Sequence, residues 1–142
     1  VTGIYTPTNS LPSSGTATYT GGMYGDYLLR GEDELITLSG EALFAVNWGT
    51  EMIAGGFINV QQYVNGSFTN IGSWDMPSAV SISDGNFTGQ LSAEGFSNYV
   101  YNSAIAGDFF GPTGEEIAGT WDLYKNNNFD GTAAGYFAAK RN

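Results

Sequence analysis

Apolar residues in this chain recur at every second position, and the three- and four-residue spacing of an amphipathic helix is almost absent. Between Ile36 and Trp48, the residues Ala42, Phe44, Val46 and Trp48 fall on one face of an extended chain, and Leu43, Ala45 and Asn47 on the other. That is the two-residue period of a half-buried strand. A similar alternation runs from Thr16 to Leu29, broken by Gly21, Gly22 and Gly25, which predicts a long strand with a bend. Gly49 and Thr50 turn the chain into a strand over residues 51–63, with Ile53, Gly55, Phe57, Asn59 and Gln61 on one side. Asn65-Gly66 signals a type I′ hairpin turn, whose two central residues both need positive φ, and it leads into Ser67 to Ile71.

Beyond Ile71, the sequence predicts a connection containing Trp74, Met76 and Pro77, a short strand from Ala79 to Ser83, an Asp84-Gly85 turn and a strand from Phe87 to Leu91. Ser97 to Ile105 fits either a helical turn or an irregular strand. A heavily apolar hairpin follows. Gly111, Pro112 and Gly114 reverse the chain, placing Phe109 and Phe110 on opposite faces and Ile117 with Trp121 on one. Gly107 and Gly119 within its arms mark a bulge, a bend or a close backbone approach. Residues 126–131 turn into a last strand, Thr132 to Lys140. The expectation is all-β: a small antiparallel eight-stranded β-barrel over residues 16–142 with a packed aromatic core, preceded by a tether or strap at 1–15. Ile4, Tyr5 and Leu11 are placed to tuck the strap against the body. Trp121, Phe109, Ile117, Phe137 and Phe44 should share the core, with Phe110 on the outer face or under a loop.

Composition narrows the chemistry. The 142 residues fit one domain, and 42% hydrophobic with 15% aromatic content is that of a folded chain. Four basic residues against fourteen acidic ones give a formal charge of −10, which disfavours nucleic acid and anionic membranes and favours a partner with a basic patch. There is no cysteine and no histidine. Disulfides, thiol catalysis, Cys/His zinc sites and histidine acid–base chemistry are thereby removed. No apolar run approaches the roughly 20 residues of a membrane helix.

Asn126-x-Asn128-x-Asp130-Gly131 matches the first half of a calcium loop, yet Phe137 stands where the closing bidentate acid belongs, so the stretch reads as a hairpin loop. Glu32, Asp33 and Glu34 read as a solvated loop. Glu115 and Glu116, as neighbours on a strand, face opposite ways. Asp108 and Asp122 flank the apolar hairpin, with no nucleophile or base nearby in sequence. No catalytic set emerges, and a non-enzymatic role is expected. Tyrosine, tryptophan, asparagine and glycine are the residue types of protein-binding surfaces. Trp74, Tyr99 and Tyr101 are the binding candidates, with Tyr24 and Tyr63 as further exposed contacts.

Gly107, Phe109, Phe110, Gly111 and Pro112, followed by Glu115 to Trp121, resemble the closing hairpin of the β-barrel domain in transferrin-binding protein B-like surface lipoproteins. Leu11 to Gly21 looks like the opening strand of that family and Ala134 to Arg141 like its last. The resemblance covers residues 11–141. It implies a bacterial surface or secreted binding module, exported after signal-peptide removal, that engages a protein through barrel loops. Members capture host transferrin, haemoglobin, haem or complement regulators. The shared residues are turn and core positions, so they do not specify which partner, and absence of histidine disfavours haem. A lipid-anchor cysteine, expected of such lipoproteins, is not in the sequence, which leaves either an anchor outside it or a free secreted form. Two other readings stand: a lipocalin-like carrier of a small apolar ligand inside the barrel, and an integral outer-membrane barrel.

Overall fold

The computed structural model describes residues 4–29, 35–93, 103–125 and 131–142. It is built from ten strands: β1 (Thr16–Leu29), β2 (Leu35–Asn47), β3 (Met52–Val64), β4 (Ser67–Asp75), β5 (Val80–Ser81), β6 (Asn86–Gln90), β7 (Ser92–Ala93), β8 (Ala104–Phe110), β9 (Glu116–Lys125) and β10 (Gly131–Arg141). All pairings are antiparallel, in the order β6-β8-β9-β10-β1-β2-β3-β4-β7, with β5 on β3. The sheet curls into a nearly closed barrel. Ten strands replace the expected eight because β5 and β7, two residues each, count separately.

Strand β3 serves two neighbours. Its first residues pair with β5 (Met52↔Ser81, Ile53↔Val80), while Gly56 to Val64 pair with β4. Ser83 and Asn86 then exchange backbone hydrogen bonds of 2.9 and 3.1 Å, joining β5 to β6 and so to β8. The end at which β1 finishes and β2 begins is termed upper. At the lower end lie the turns at 48–51, 83–85 and 111–115 and the last residue, Asn142. Asn65 (φ 51°) and Gly66 (φ 81°) have the doubly positive φ expected of their turn, and the turn at Asp84 (φ 53°) and Gly85 (φ 77°) has it as well. Gly111 and Gly114 are also left-handed.

Alternation places the core. Phe44, Phe109, Ile117, Trp121 and Phe137 are all buried, as expected, together with Tyr19, Met23, Phe57, Phe87 and Trp74. Their rings interlock across the lumen: Phe44 to Phe137 at 5.3 Å, Trp48 to Phe109 at 5.2 Å and Trp74 to Trp121 at 5.5 Å. Close, tilted contacts of this kind add to the burial itself. The close approach expected at Gly119 is real: a Cβ there would lie 1.8 Å from the Ala106 carbonyl oxygen of the neighbouring strand. One at Gly107 would meet the Phe87 ring at 2.8 Å.

The simple alternation of β3 fails after Phe57. Ile58 and Asn59 both face out and Val60 is buried, because the pairing with β4 shifts between Phe57 and Val60 and Asn59 turns left-handed (φ 51°). A bulge of this kind reverses the phase of the face pattern. Below the barrel, residues 4–15 form a strap containing a 3-10 turn, Thr8–Ser10. Tyr5 stacks on Phe110 at 4.8 Å, Leu11 packs on the core, and Ile4 stays 87% exposed. Phe110 thus lies on the outer face beneath the strap.

Candidate functional site

Strands β1, β3 and β9 end at the upper rim, and the connections 29–35, 64–67 and 125–131 emerge there. Strand β8 begins towards the same end. On the outer wall just below it, Leu28 stands opposite Leu35, and Tyr63 opposite Phe68 with ring centroids 5.0 Å apart. Leu35 and Phe68 are 61% and 62% exposed, unusual for residues of that size. Two residues further down β1 than Asp26, Tyr24 faces Tyr136 of β10 across the strand pair at 5.6 Å. The rim therefore carries rigid apolar side chains, each held by a cross-strand neighbour.

The sequence-predicted contacts divide. Tyr24 and Tyr63 are exposed as expected. Tyr99 and Tyr101 lie outside the described residues, as do Asn126, Asn128 and Asp130 of the calcium-loop candidate and the acidic run at Glu32. Trp74 is corrected: it is 1% exposed, packed on Trp121. Strand β4 does not stop at Ile71 but runs on to Asp75, pairing Trp74 with Phe57 on one side and Ala93 on the other. The left-handed Gly72 (φ 105°), whose N–H donates to Asn70 Oδ1 at 2.9 Å, re-aims the strand and turns the indole inward. Sequence reasoning missed Tyr136, Phe68 and Leu35. For Tyr136 a signal existed, since pairing the first strand with the last sets it opposite Tyr24.

The lower end is tied down. Tyr19, fully buried, donates its hydroxyl to the Gly114 carbonyl at 2.7 Å, bracing β1 against the β8–β9 turn. Burial pushes its pKa from 10.0 up to about 12, against the opposing pull of the nearby Arg141 charge. Glu115 accepts from the Thr113 hydroxyl and N–H, which hold its carboxyl below the usual range, and sits 3.7 Å from Arg141. Thr6 donates to the Gly111 carbonyl at 2.6 Å and fastens the strap. Asp108 and Asp122 do not meet: Asp108 faces Ala118, Asp122 faces Ala104, and the pair Ala106↔Thr120 lies between. Among the described residues no group of three or more His, Cys, Asp or Glu could hold a metal ion. No helix among them is long and apolar enough to cross a membrane.

Residues 11–141 match the family described as the C-lobe and N-lobe beta barrels of Tf-binding protein B. The fold is similar to that of transferrin-binding protein B from Haemophilus parasuis, crystallised as a double mutant of the vaccine antigen, with a TM-score of 0.72 at 21% identity. That likeness covers 96% of this chain and 27% of the other. For the isotype 1 protein of serogroup B Neisseria meningitidis the TM-score is 0.64 at 19% identity, covering 97% of this chain and 28% of that one. A protein described as a surface lipoprotein gives 0.65 at 19%, covering 96% of this chain and 65% of its own. This chain thus spans little more than a quarter of the transferrin-binding proteins it matches. No curated protein matches it. A barrel of this order, matched to the family over nearly its whole length, makes the chain a member of the transferrin-binding protein B β-barrel family.

Proposed function

We propose that this barrel is a non-enzymatic protein-binding module of a bacterial cell surface, and that it engages its partner with the upper rim. The observation that carries the reading is the exposed set Leu28, Leu35, Tyr63 and Phe68, placed at the end from which the connections emerge, in a chain of this family. Rigid aromatics on a register-locked wall lose little freedom on binding and serve as anchors. Tyr99 and Tyr101, between β7 and β8 in sequence, are proposed as further contacts. The relatives' name makes a host protein of the transferrin type the first partner to test.

The interlocked lumen favours this reading over a small-ligand carrier, since the space a ligand needs holds Phe44, Phe57, Phe87, Phe109, Phe137 and Trp121. It also favours it over a membrane-embedded barrel, whose interior is polar and whose outer band is apolar. Here Asp26, Glu41 and several threonines lie on the outer wall. Haem capture is not favoured, because histidine, the usual haem ligand, is absent.

The test is capture from host serum and from bacterial surface extract, repeated with Tyr63→Ser/Phe68→Ser and with Tyr99→Ala/Tyr101→Ala, alongside native mass spectrometry of gently purified protein. A captured protein whose affinity falls about tenfold or more in either variant supports the rim, since losing an aromatic anchor costs at least ~1.4 kcal/mol of binding. A retained small molecule, or a partner indifferent to both variants, refutes it.

A further inference from the structure

The opposite end of the barrel holds an open cavity of about 400 Å³ that the upper-rim reading leaves without a role. Its floor is Trp48, at the end of β2, with Leu11 from the strap and Ile82 from β5–β6 beside it. Its walls are the strap turn Thr8–Ser10 and two barrel turns that contribute one carboxylate each, Glu51 and Asp84. The walls are fastened by main-chain hydrogen bonds. Ile82 N–H donates to the Glu51 carbonyl at 2.8 Å, Phe109 N–H to Gly85 at 3.0 Å, Trp48 N–H to Gly15 at 2.8 Å, and Thr6 N–H in the strap to Phe109 at 3.0 Å. The volume is at the small end of the range for ligand sites, and the site is formed without any ligand.

Three features give its chemistry. Neither the Glu51 nor the Asp84 carboxylate has an ion-pair or hydrogen-bond partner among the described residues, and the chain carries a formal charge of −10. Both residues sit in left-handed backbone (φ 55° and 53°), so the turns themselves fix where the carboxylates leave the chain. Trp48, 4% exposed, lines the cavity beside Leu11 and Ile82, so an aromatic side chain borders the two carboxylates. A bare metal ion does not suit an aromatic and aliphatic floor, and no metal-holding cluster occurs among the described residues. A cation on an apolar stem does, because the stem covers the floor while the charged head lies between the carboxylates and over the indole.

We propose that this cavity receives an arginine or lysine side chain of a protein partner, as a second recognition point at the end opposite the rim. The probe is Nα-acetyl-arginine amide, with the lysine analogue beside it, titrated at low salt into the uniformly labelled protein while the three indole N–H resonances are followed. The expected result is a saturable shift of the Trp48 signal, assigned by Trp48→Phe, with the Trp74 and Trp121 signals unmoved. The uncharged norleucine analogue should leave all three in place. Glu51→Gln and Asp84→Asn keep size and turn geometry. Each should weaken binding about threefold, as for a partly exposed charge pair, and added salt should weaken it further.

No saturable Trp48 shift at millimolar probe, an equal response to norleucine amide, or indifference to both carboxylate substitutions overturns the proposal. So does tighter binding of spermidine than of either blocked amino acid, which would mark a small-cation site. The two readings fail separately. A partner captured through the rim with an unresponsive cavity sinks only this inference, and a responsive cavity beside a partner indifferent to the rim variants sinks only the rim.

Discussion

The two ends of the barrel are built on different principles. At the lower end nearly every turn is fastened: Tyr19 to Gly114, Thr6 to Gly111, Arg141 to Glu115 and Thr113, and Asn142 N–H to the Thr18 carbonyl at 2.9 Å. At the upper end, large apolar side chains such as Leu35 and Phe68 are exposed, set against their neighbours across the sheet. Satisfied polar groups brace the first end, while the second leaves apolar area exposed. Substitutions at these fastenings should therefore be read out in stability, and those at the rim, under the function proposed above, in binding.

The largest effect is expected beneath the rim, where Trp121 packs on Trp74 and Phe57. Trp121→Ala should cost about 3–5 kcal/mol, the usual range for emptying a large aromatic site. A urea melt showing a loss under about 1 kcal/mol would mean that this plug does not hold the upper half together. Gly119→Ala should follow at roughly 1–3 kcal/mol, because the new methyl group falls on the Ala106 carbonyl oxygen and two strands must part. Wild-type stability at that position would show that the barrel wall yields more easily than its pairing implies.

Tyr19 sharpens the contrast through pH. Its folded-state pKa is raised, so its contribution is complete below pH 10, the unfolded value, and drains away as pH climbs towards about 12. The loss over that window should reach about 2–3 kcal/mol. Tyr19→Phe should flatten the alkaline limb of the stability profile, and an unchanged limb would show that another group governs it. Thr6→Val, which leaves the Gly111 carbonyl without its donor, should cost about 1 kcal/mol. Smallest of all, Tyr63→Ser/Phe68→Ser should change stability by no more than about 1 kcal/mol, as surface changes do. A larger loss in thermal melts would make the rim part of the core and remove the distinction between the ends.

Legibility in the sequence followed the range of the interaction. The apolar hairpin was readable because its turn is local and its alternation unbroken, which put Phe109, Ile117 and Trp121 on one side. Asn65-Gly66 announced its own φ values. Trp74 was misplaced because the strand was read as ending at Ile71, whereas β4 passes through the left-handed Gly72 and runs on to Asp75, carrying the indole into the core. The cavity was hidden for a different reason. Glu51 and Asp84 come together only because the first residues of β3 pair with β5, beyond the stretch that pairs with β4, and no short-range signal encodes that choice of neighbour. The family itself was legible from the glycine and aromatic motifs, which belong to the fold.

The pairing of the first strand with the last has a consequence for how the chain reaches this state. Tyr19 lies against Arg141 and Leu29 against Gly131, so this seam joins segments separated by most of the molecule. The other seam, from β5 through the Ser83–Asn86 bridge to β6 and β8, links residues close in sequence. Loop-closure entropy is charged against distant contacts before they return any energy. The hairpins β2–β3, β5–β6 and β8–β9 should therefore assemble early, and the β1–β10 zipper should form at the rate-limiting step. Folding speed would then be set by the small residues along that seam, Gly21, Ala138, Gly25 and Ala134, more than by the aromatic core that dominates equilibrium stability.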